Sequence, residues 1–388
     1  MTAGFPTKAN WSAGDLLTSA QMDDLAGTVN YLSPVGQANG STLVANSANS
    51  SGLGWSATPS ASNPVLNSAM QVWQRGTSGA GANGSSISGY MADRWLAIRS
   101  SYTAGLTISR QVTADTTNLP NIQYCARIQR DSSNASTVSL QLGQSFESVN
   151  SIPFAGKTVT LSFYARAGAN YSSTSNALLA LLVTGTGTDQ NVVTAGYTGT
   201  ANTISQTATL TTTWQRFQYT GAIPTTTTEI GLIFQSTPTG TAGANDYFEI
   251  TGVQIDVGSV ALPFRTFSQT LQGELSACQR YFLSLNNNVT ATADYFNGGY
   301  YSTTGLYGVV NFPVQMRVAP STSFTAGSTF QAWIGGSATT CSAIGQNITS
   351  PLSASLYVNT TAKTAGSAAW VSATGSVGTS AISFSAEL

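Results

Sequence analysis

Apolar and polar residues alternate with period two through most of the chain. "VSLQL" puts Val138, Leu140 and Leu142 on one face of an extended segment. "TVTLSFYA" does the same with Val159, Leu161, Phe163 and Ala165, and "EIGLIF" with Ile230, Leu232 and Phe234. Successive side chains of a strand point to opposite faces, so each segment offers one apolar face to a core. "WQRFQYTG" adds Phe217 and Tyr219, and "ALLALLV" (177–183) reads as a buried strand, far too short to span a bilayer. Turn-rich stretches such as "TGTGTDQ" and "STPTGTAGAND" separate these segments without any helical period. The pattern predicts a mainly β chain, with residues 63–266 folded as an antiparallel β-sandwich of the jelly-roll kind.

One segment breaks the alternation. In "FEITGVQIDVGSV", Phe248 and Ile250 share one face, whereas Val253, Ile255 and Val257 fall on the opposite parity. An extra residue at Thr251-Gly252, a β-bulge, would return both sets to one core.

Both ends differ from this middle. Thr18 and Gln21 form a capping box, and Met22, Leu25, Val29 and Leu32 then follow at spacings of three, four and three. Residues 1–33 are thus read as an anchoring or oligomerising helix region. Residues 34–62 are rich in Gly, Ser and Asn and form a linker or extended arm. Past Leu262-Pro263, "SQTLQGELSAC" predicts a short helix with Leu271, Leu275 and Cys278 on one face. The remainder of 267–388 returns to strand patterns: "FPVQMRV" aligns Phe312, Val314, Met316 and Val318 as an edge strand, and "ISFSAEL" aligns Ile382, Phe384, Ala386 and Leu388.

Composition narrows what such a chain does. Only 7% of residues are charged and the net charge is -1, so there is no electrostatic footprint for nucleic acid or an anionic membrane. Histidine is absent, which removes His-dependent triads and His metal ligands. No cofactor motif is present, neither a GKS/GKT loop nor a dinucleotide glycine fingerprint. Cys125, Cys278 and Cys341 are widely spaced and odd in number, as expected of free, buried thiols in a chain folded under reducing conditions. "MTAGFPTKANWSAGD" shows no export signal. A hydroxyl- and amide-rich surface on a protein made in the cytoplasm and released by lysis fits a virus particle.

Three sets of segments carry a resemblance. "NWSAGDLLTSAQMDDL" is similar to the start of many phage fibre and minor structural proteins. "MQVWQRGTS", "ADRWLA", "KTVTLSFYARAG", "TWQRFQYTG" and "FEITGVQIDVGSVALPF" together resemble a jelly-roll module related to carbohydrate-binding modules. "ELSACQRYF", "FPVQMRVAP" and "ISFSAEL" are similar to the C-terminal domains that commonly follow it. The chain therefore resembles a bacteriophage virion protein of the tail-fibre or head-fibre type. The resemblance implies a non-enzymatic homotrimer, with Met22, Leu25, Val29 and Leu32 at the shared contact. Residues 1–60 would join other virion proteins, and the β-domains would meet a host-surface glycan or protein.

Candidate glycan contacts are the flat aromatic rings, which match a pyranose face: Trp73, Trp95 and Trp214 in the sandwich, and Tyr295, Tyr300, Tyr301 and Tyr307 in "YFNGGYYSTTGLYG". Core packing is the competing role for each tryptophan. Asp93-Arg94 reads as a strand-end ion pair or a polar ligand clamp. A tailspike-like polysaccharide depolymerase is the alternative class, since glycoside hydrolysis needs only two suitably placed carboxylates. Asp93, Asp131, Glu147, Asp246, Glu249 and Asp256 are available, but nothing in the pattern pairs them.

Overall fold

The computed structural model describes residues 42–45, 53–56, 63–80, 87–99, 105–119, 121–286, 293–375, 378 and 381–388. Met22, Leu25, Val29 and Leu32 lie outside the described residues. Within the span read as a linker, β1 (Thr42–Ala45) and β2 (Leu53–Ser56) pair as an antiparallel hairpin, which the composition of the segment had not indicated.

The sandwich consists of two six-stranded antiparallel sheets, strands being numbered in chain order. One sheet runs β12 (Gln215–Ala222), β9 (Thr158–Ala167), β14 (Tyr247–Val257), β7 (Tyr124–Arg130), β6 (Leu106–Val112), β3 (Ser78–Ala80). The other runs β11 (Ala201–Thr209), β10 (Ala177–Gly185), β13 (Glu229–Ser236), β8 (Leu140–Ser145), β5 (Leu96–Arg99), β4 (Ile87–Tyr90). From β7 to β10 and from β11 to β14 the chain crosses sheets at every step, the jelly-roll signature. The inward positions are those of the alternation: Val159, Leu161, Phe163 and Ala165 from one sheet, Leu178, Leu232 and Phe234 from the other, all fully enclosed. Phe163 and Phe234 meet edge to face across the two sheets, 4.8 Å between ring centres.

The slip in β14 is a bulge. Its register against β9 shifts between Thr251 and Gln254, and Phe248, Ile250, Val253 and Ile255 all enter the same core. Gly252 has φ +60°, and a Cβ there would lie 2.7 Å from the Tyr164 ring and 2.8 Å from Ile122, so only glycine fits. Past the bulge, the edge of β14 facing β7 is taken over by the incoming chain. Val253 N–H donates to Ser68 O, Asn63 Nδ2 donates to Val253 O at 2.7 Å, and Asn63 Oδ1 accepts from Ile255 N–H. A side-chain amide thus stands in for the missing ladder partner.

Helix α1 (Leu271–Gln279) links the sandwich to a second β unit and is capped by Thr270, whose side chain accepts from Gly273 N–H. Its enclosed residues are Glu274 and Cys278, while Leu271 is 60% exposed and Leu275 half-buried, which corrects the expected apolar face. Glu274 is buried because its carboxylate accepts from the backbone N–H groups of Asn67 and Ser268.

The C-terminal unit has a three-stranded sheet, β15 (Phe282–Asn286), β24 (Ala381–Ser385), β18 (Ser321–Phe324), and a seven-stranded one. The larger sheet runs β20 (Ser337–Thr340), β19 (Phe330–Ile334), β23 (Ala368–Ala373), β16 (Asp294–Tyr300), β17 (Gly305–Asn311), β22 (Ser353–Asn359), β21 (Ala343–Thr349). Leu306, Phe330, Leu356, Ile382 and Phe384 fill the space between. "FPVQMRV" is not a strand. Met316 is buried, but Pro313 and Pro320 withhold ladder donors, and the segment is pinned by single bonds such as Met316 N–H to Pro351 O. Cys125, Cys278 and Cys341 are free and buried. Burial raises all three thiols above their ordinary pKa, Cys341 to about 12.

The two β units are joined by ionic and polar contacts rather than by an apolar seam alone. Arg94 pairs with Glu387, donates from Nη2 to Ser145 O at 2.7 Å and lies over the Tyr281 ring at 3.6 Å. Arg280 holds Glu147 with two bonds of 2.8 and 2.9 Å, and Tyr281 Oη donates to the same carboxylate. Gln74 reaches Phe282 O, and Asn191 reaches Leu388 O. Asp93 and Arg94 are therefore not partners: Asp93 accepts from Gln74 and faces Arg75 at 3.6 Å, while Arg94 serves Glu387.

Burial dominates Asp93 and raises its pKa to about 6, with Arg75 and Gln74 offsetting part of the effect. Between about pH 4, the unfolded value, and pH 6 the folded state binds the extra proton, so this group's contribution to stability falls as pH rises through that window. Urea unfolding across pH 4 to 7 is expected to show wild type losing stability relative to Asp93→Asn over that interval; parallel curves would refute the assignment.

Candidate binding surface

The inward residues of the seven-stranded sheet determine what its other face displays. In β17, Leu306 and Val310 point to the core, leaving Tyr307 and Val309 outward; in β22, Leu356 and Val358 point in, leaving Tyr357 outward. In β19 and β23, Phe330, Ala332, Ala369 and Val371 are enclosed, leaving Trp333 and Trp370 outward.

Register brings these rings together. Tyr307 lies opposite Tyr357 on the neighbouring strand with ring centres 5.9 Å apart, and Tyr301 packs its edge against Tyr307 at 4.6 Å. A Cβ on Gly345, the residue opposite Tyr357 on β21, would lie 2.5 Å from that ring, so glycine is what lets the tyrosine lie flat over the strand. Trp333 and Trp370 are likewise opposite each other, with parallel rings 5.8 Å apart. Trp333 Nε1 donates to Ser372 Oγ at 2.9 Å, which fixes the ring. Tyr301 is 67% exposed, Val309 53%, Ile348 65% and Trp370 37%. Asn297 and Ser355 also face outward on this sheet. The two ring clusters carry no ionised side chain, so the surface offers flat apolar area with neutral hydrogen-bonding groups beside it. Burial and the adjacent Tyr301 raise the Tyr307 hydroxyl above its ordinary pKa, keeping it a neutral donor.

The sequence-predicted contacts divide sharply. Tyr301 and Tyr307 belong to this surface. Tyr295 is half-buried, edge-on to Phe330 at 5.3 Å. Tyr300 is 2% exposed and its hydroxyl is bonded to Thr360, so it is a core residue. The three tryptophans are corrected as ligand contacts: Trp95 is fully enclosed and bonds Asn67 O, Trp73 bonds Met70 O, and Trp214 is packed with Leu119, Ile122 and Cys125 under Arg166. A large ring at the centre of a sandwich fills it. Trp333, Trp370 and Tyr357 were not singled out, although their parity against Ala332, Val371 and Leu356 marks them as outward.

No family model and no curated protein matches this chain. Three solved structures show what it is similar to. A CBM4 structure is 23% identical over 34% of this chain and 71% of its own, with a TM-score of 0.25. A xylan-binding domain of CBM22 is 14% identical over 44% of this chain and 90% of its own, TM-score 0.27. The enzymatically active domain of tailspike protein 4 from Bacteriophage CBA120 is 12% identical over 50% of this chain, which spans 21% of that chain, TM-score 0.31. At TM-scores this low, none of the three bears on what this chain binds.

Removal of the buried and the exposed rings should have opposite consequences. Trp95→Ala is expected to cost about 3–5 kcal/mol of unfolding free energy, whereas Trp370→Ala and Tyr301→Ala should stay within about 0.5 kcal/mol of wild type. Urea denaturation of the three variants checks this, and a large loss in Trp370→Ala would make that ring a packing residue instead.

Proposed function

We propose that this chain is a non-enzymatic structural protein of a bacteriophage virion, a fibre of head or tail, that binds a host-surface glycan. The observation that carries the glycan reading is the outer face with its two paired ring clusters, Tyr307–Tyr357 and Trp333–Trp370, in which no ring partner is ionised. Planar apolar rings match the CH faces of sugars, and tyrosine and asparagine supply adaptable hydrogen bonds in wet interfaces. Attachment through residues 1–60, assembly as a homotrimer through Met22, Leu25, Val29 and Leu32, and release from the host cytoplasm by lysis rest on the sequence resemblance. No cofactor is assigned.

The carboxylates support the non-enzymatic reading over a depolymerase. Glu249 is held between Arg127 and Arg166, Asp246 pairs with Arg130, Asp256 with Arg265 and Glu147 with Arg280. Burial pushes Glu147 up, but its bonds from Arg280 and Tyr281 outweigh that and hold it below its ordinary value. A glycosidase general acid needs a raised carboxyl facing a second carboxylate across the bond to be cut; these four are committed to arginines, and Asp93, though raised, is 1% exposed and faces Arg75 rather than an open cleft.

Purified protein incubated with host polysaccharide is expected to bind it without releasing reducing ends. Trp370→Ala combined with Tyr301→Ala should weaken that binding; release of reducing sugar would favour the depolymerase. Deletion of residues 1–33 is expected to abolish incorporation into particles while leaving the β-domains folded, and the truncated chain on purified virions at normal copy number would refute attachment through that end. Light scattering on the full chain should give a trimer, and Leu25→Asp should dissociate it.

A further inference from the structure

Where the sandwich, α1 and the C-terminal unit meet, they enclose a cavity of about 700 Å³. That lies within the size range of small-molecule sites, which favour domain junctions. Its apolar walls come from three directions: Phe146 and Phe154 from the sandwich, Phe267 before α1, and Val314 from the C-terminal unit. At its mouth Val149 is 67% and Phe267 40% exposed. Its polar lining includes the planar side chains of Arg94, Gln144, Glu147, Asn150, Arg280 and Gln315, with the hydroxyls of Ser145, Ser276 and Tyr281 beside them.

Two features of that lining point to the kind of ligand. The charges cancel inside the wall, Glu147 against Arg280 and Arg94 against Glu387, so no net charge is left for an ionic guest. The groups turned toward solvent, Asn150 and Gln315, are neutral amides that both donate and accept. Aromatic walls, planar amide and guanidinium edges and zero net charge suit a ring carrying many hydroxyls.

We infer that this junction cavity is a second binding site, separate from the outer sheet face, which takes a short neutral oligosaccharide. The inference rests on the glycan-binding reading above and adds a place for the sugar that does not involve the exposed rings. A ligand seated there would touch the sandwich, α1 and the C-terminal unit together, so occupancy would also brace the junction.

The test is calorimetric titration of the full chain with short neutral gluco-, galacto- and manno-oligosaccharides. Wild type is expected to bind one of these classes. Asn150→Ala combined with Gln315→Ala, both solvent-facing, should weaken that binding by about tenfold, the effect of losing two hydrogen bonds. Ala277→Trp, which places a large ring into the cavity from α1, should abolish it, while Trp370→Ala should leave it intact. Should Ala277→Trp misfold by circular dichroism, the double amide variant decides alone. Binding that survives the double amide variant but is lost in Trp370→Ala overturns the cavity site and leaves the glycan reading standing. Absence of binding by any of these sugars in a chain that still adheres to host polysaccharide also overturns the cavity site. Absence of both overturns the two readings together.

Discussion

Arginine–carboxylate pairs sealed inside the molecule are the interaction on which the rest depends. A chain with 7% charged residues has few ions, and it places many of them in the interior. Arg130 and Asp246 are both nearly inaccessible, and Arg130 Nη2 donates to the carbonyls of Asn134, Ser136 and Gly240. One ion pair thus gathers two loops. Arg94 and Glu387 do the same between domains, across 293 positions of sequence. Buried pairs add little net stability over apolar packing, but stripping one partner strands the other and costs about 3–5 kcal/mol. The pairs therefore act as constraints on arrangement: loops and domains must meet in one way for every buried charge to be met.

This explains which parts of the molecule the sequence foretold. Alternation located the sandwich strands, because burial on one face enforces period two, and even the bulge was readable, because Phe248 and Ile250 could share a core with Val253 and Ile255 only if the register slipped. The misses have a common cause in partners distant along the chain. Glu274 could not be assigned to the buried face of α1 while Asn67 N–H was unknown as its donor, so Leu271 and Leu275 looked like the better choice. "FPVQMRV" alternates correctly yet has no neighbouring strand to pair with. Trp333 and Trp370 meet only because β19 and β23 lie side by side, which pattern alone does not give. The tryptophans of the sandwich were visible as rings, but their burial depends on distant segments: the inter-sheet core for Trp73 and Trp95, and Leu119, Ile122 and Cys125 for Trp214.

The arrangement divides labour between the two faces of one seven-stranded sheet. Inward residues, almost all aliphatic or phenylalanine, fill the core of the domain; outward residues carry rings that lie outside it. The junction differs in character, since its cavity walls come from segments that each have another job: Phe146 and Glu147 end a core strand, and Arg280 and Tyr281 close α1. The ring clusters on the open face depend on two strand registers, whereas the junction cavity depends on the seating of two domains.

The three enclosed thiols have a consequence of their own. A thiol reacts as its thiolate, and burial keeps that form scarce at Cys125, Cys278 and Cys341 while also barring access to peroxide or to another sulfur. The fold therefore carries cysteine without becoming a redox sensor. Copies side by side would not cross-link through these residues, and air would not oxidise them.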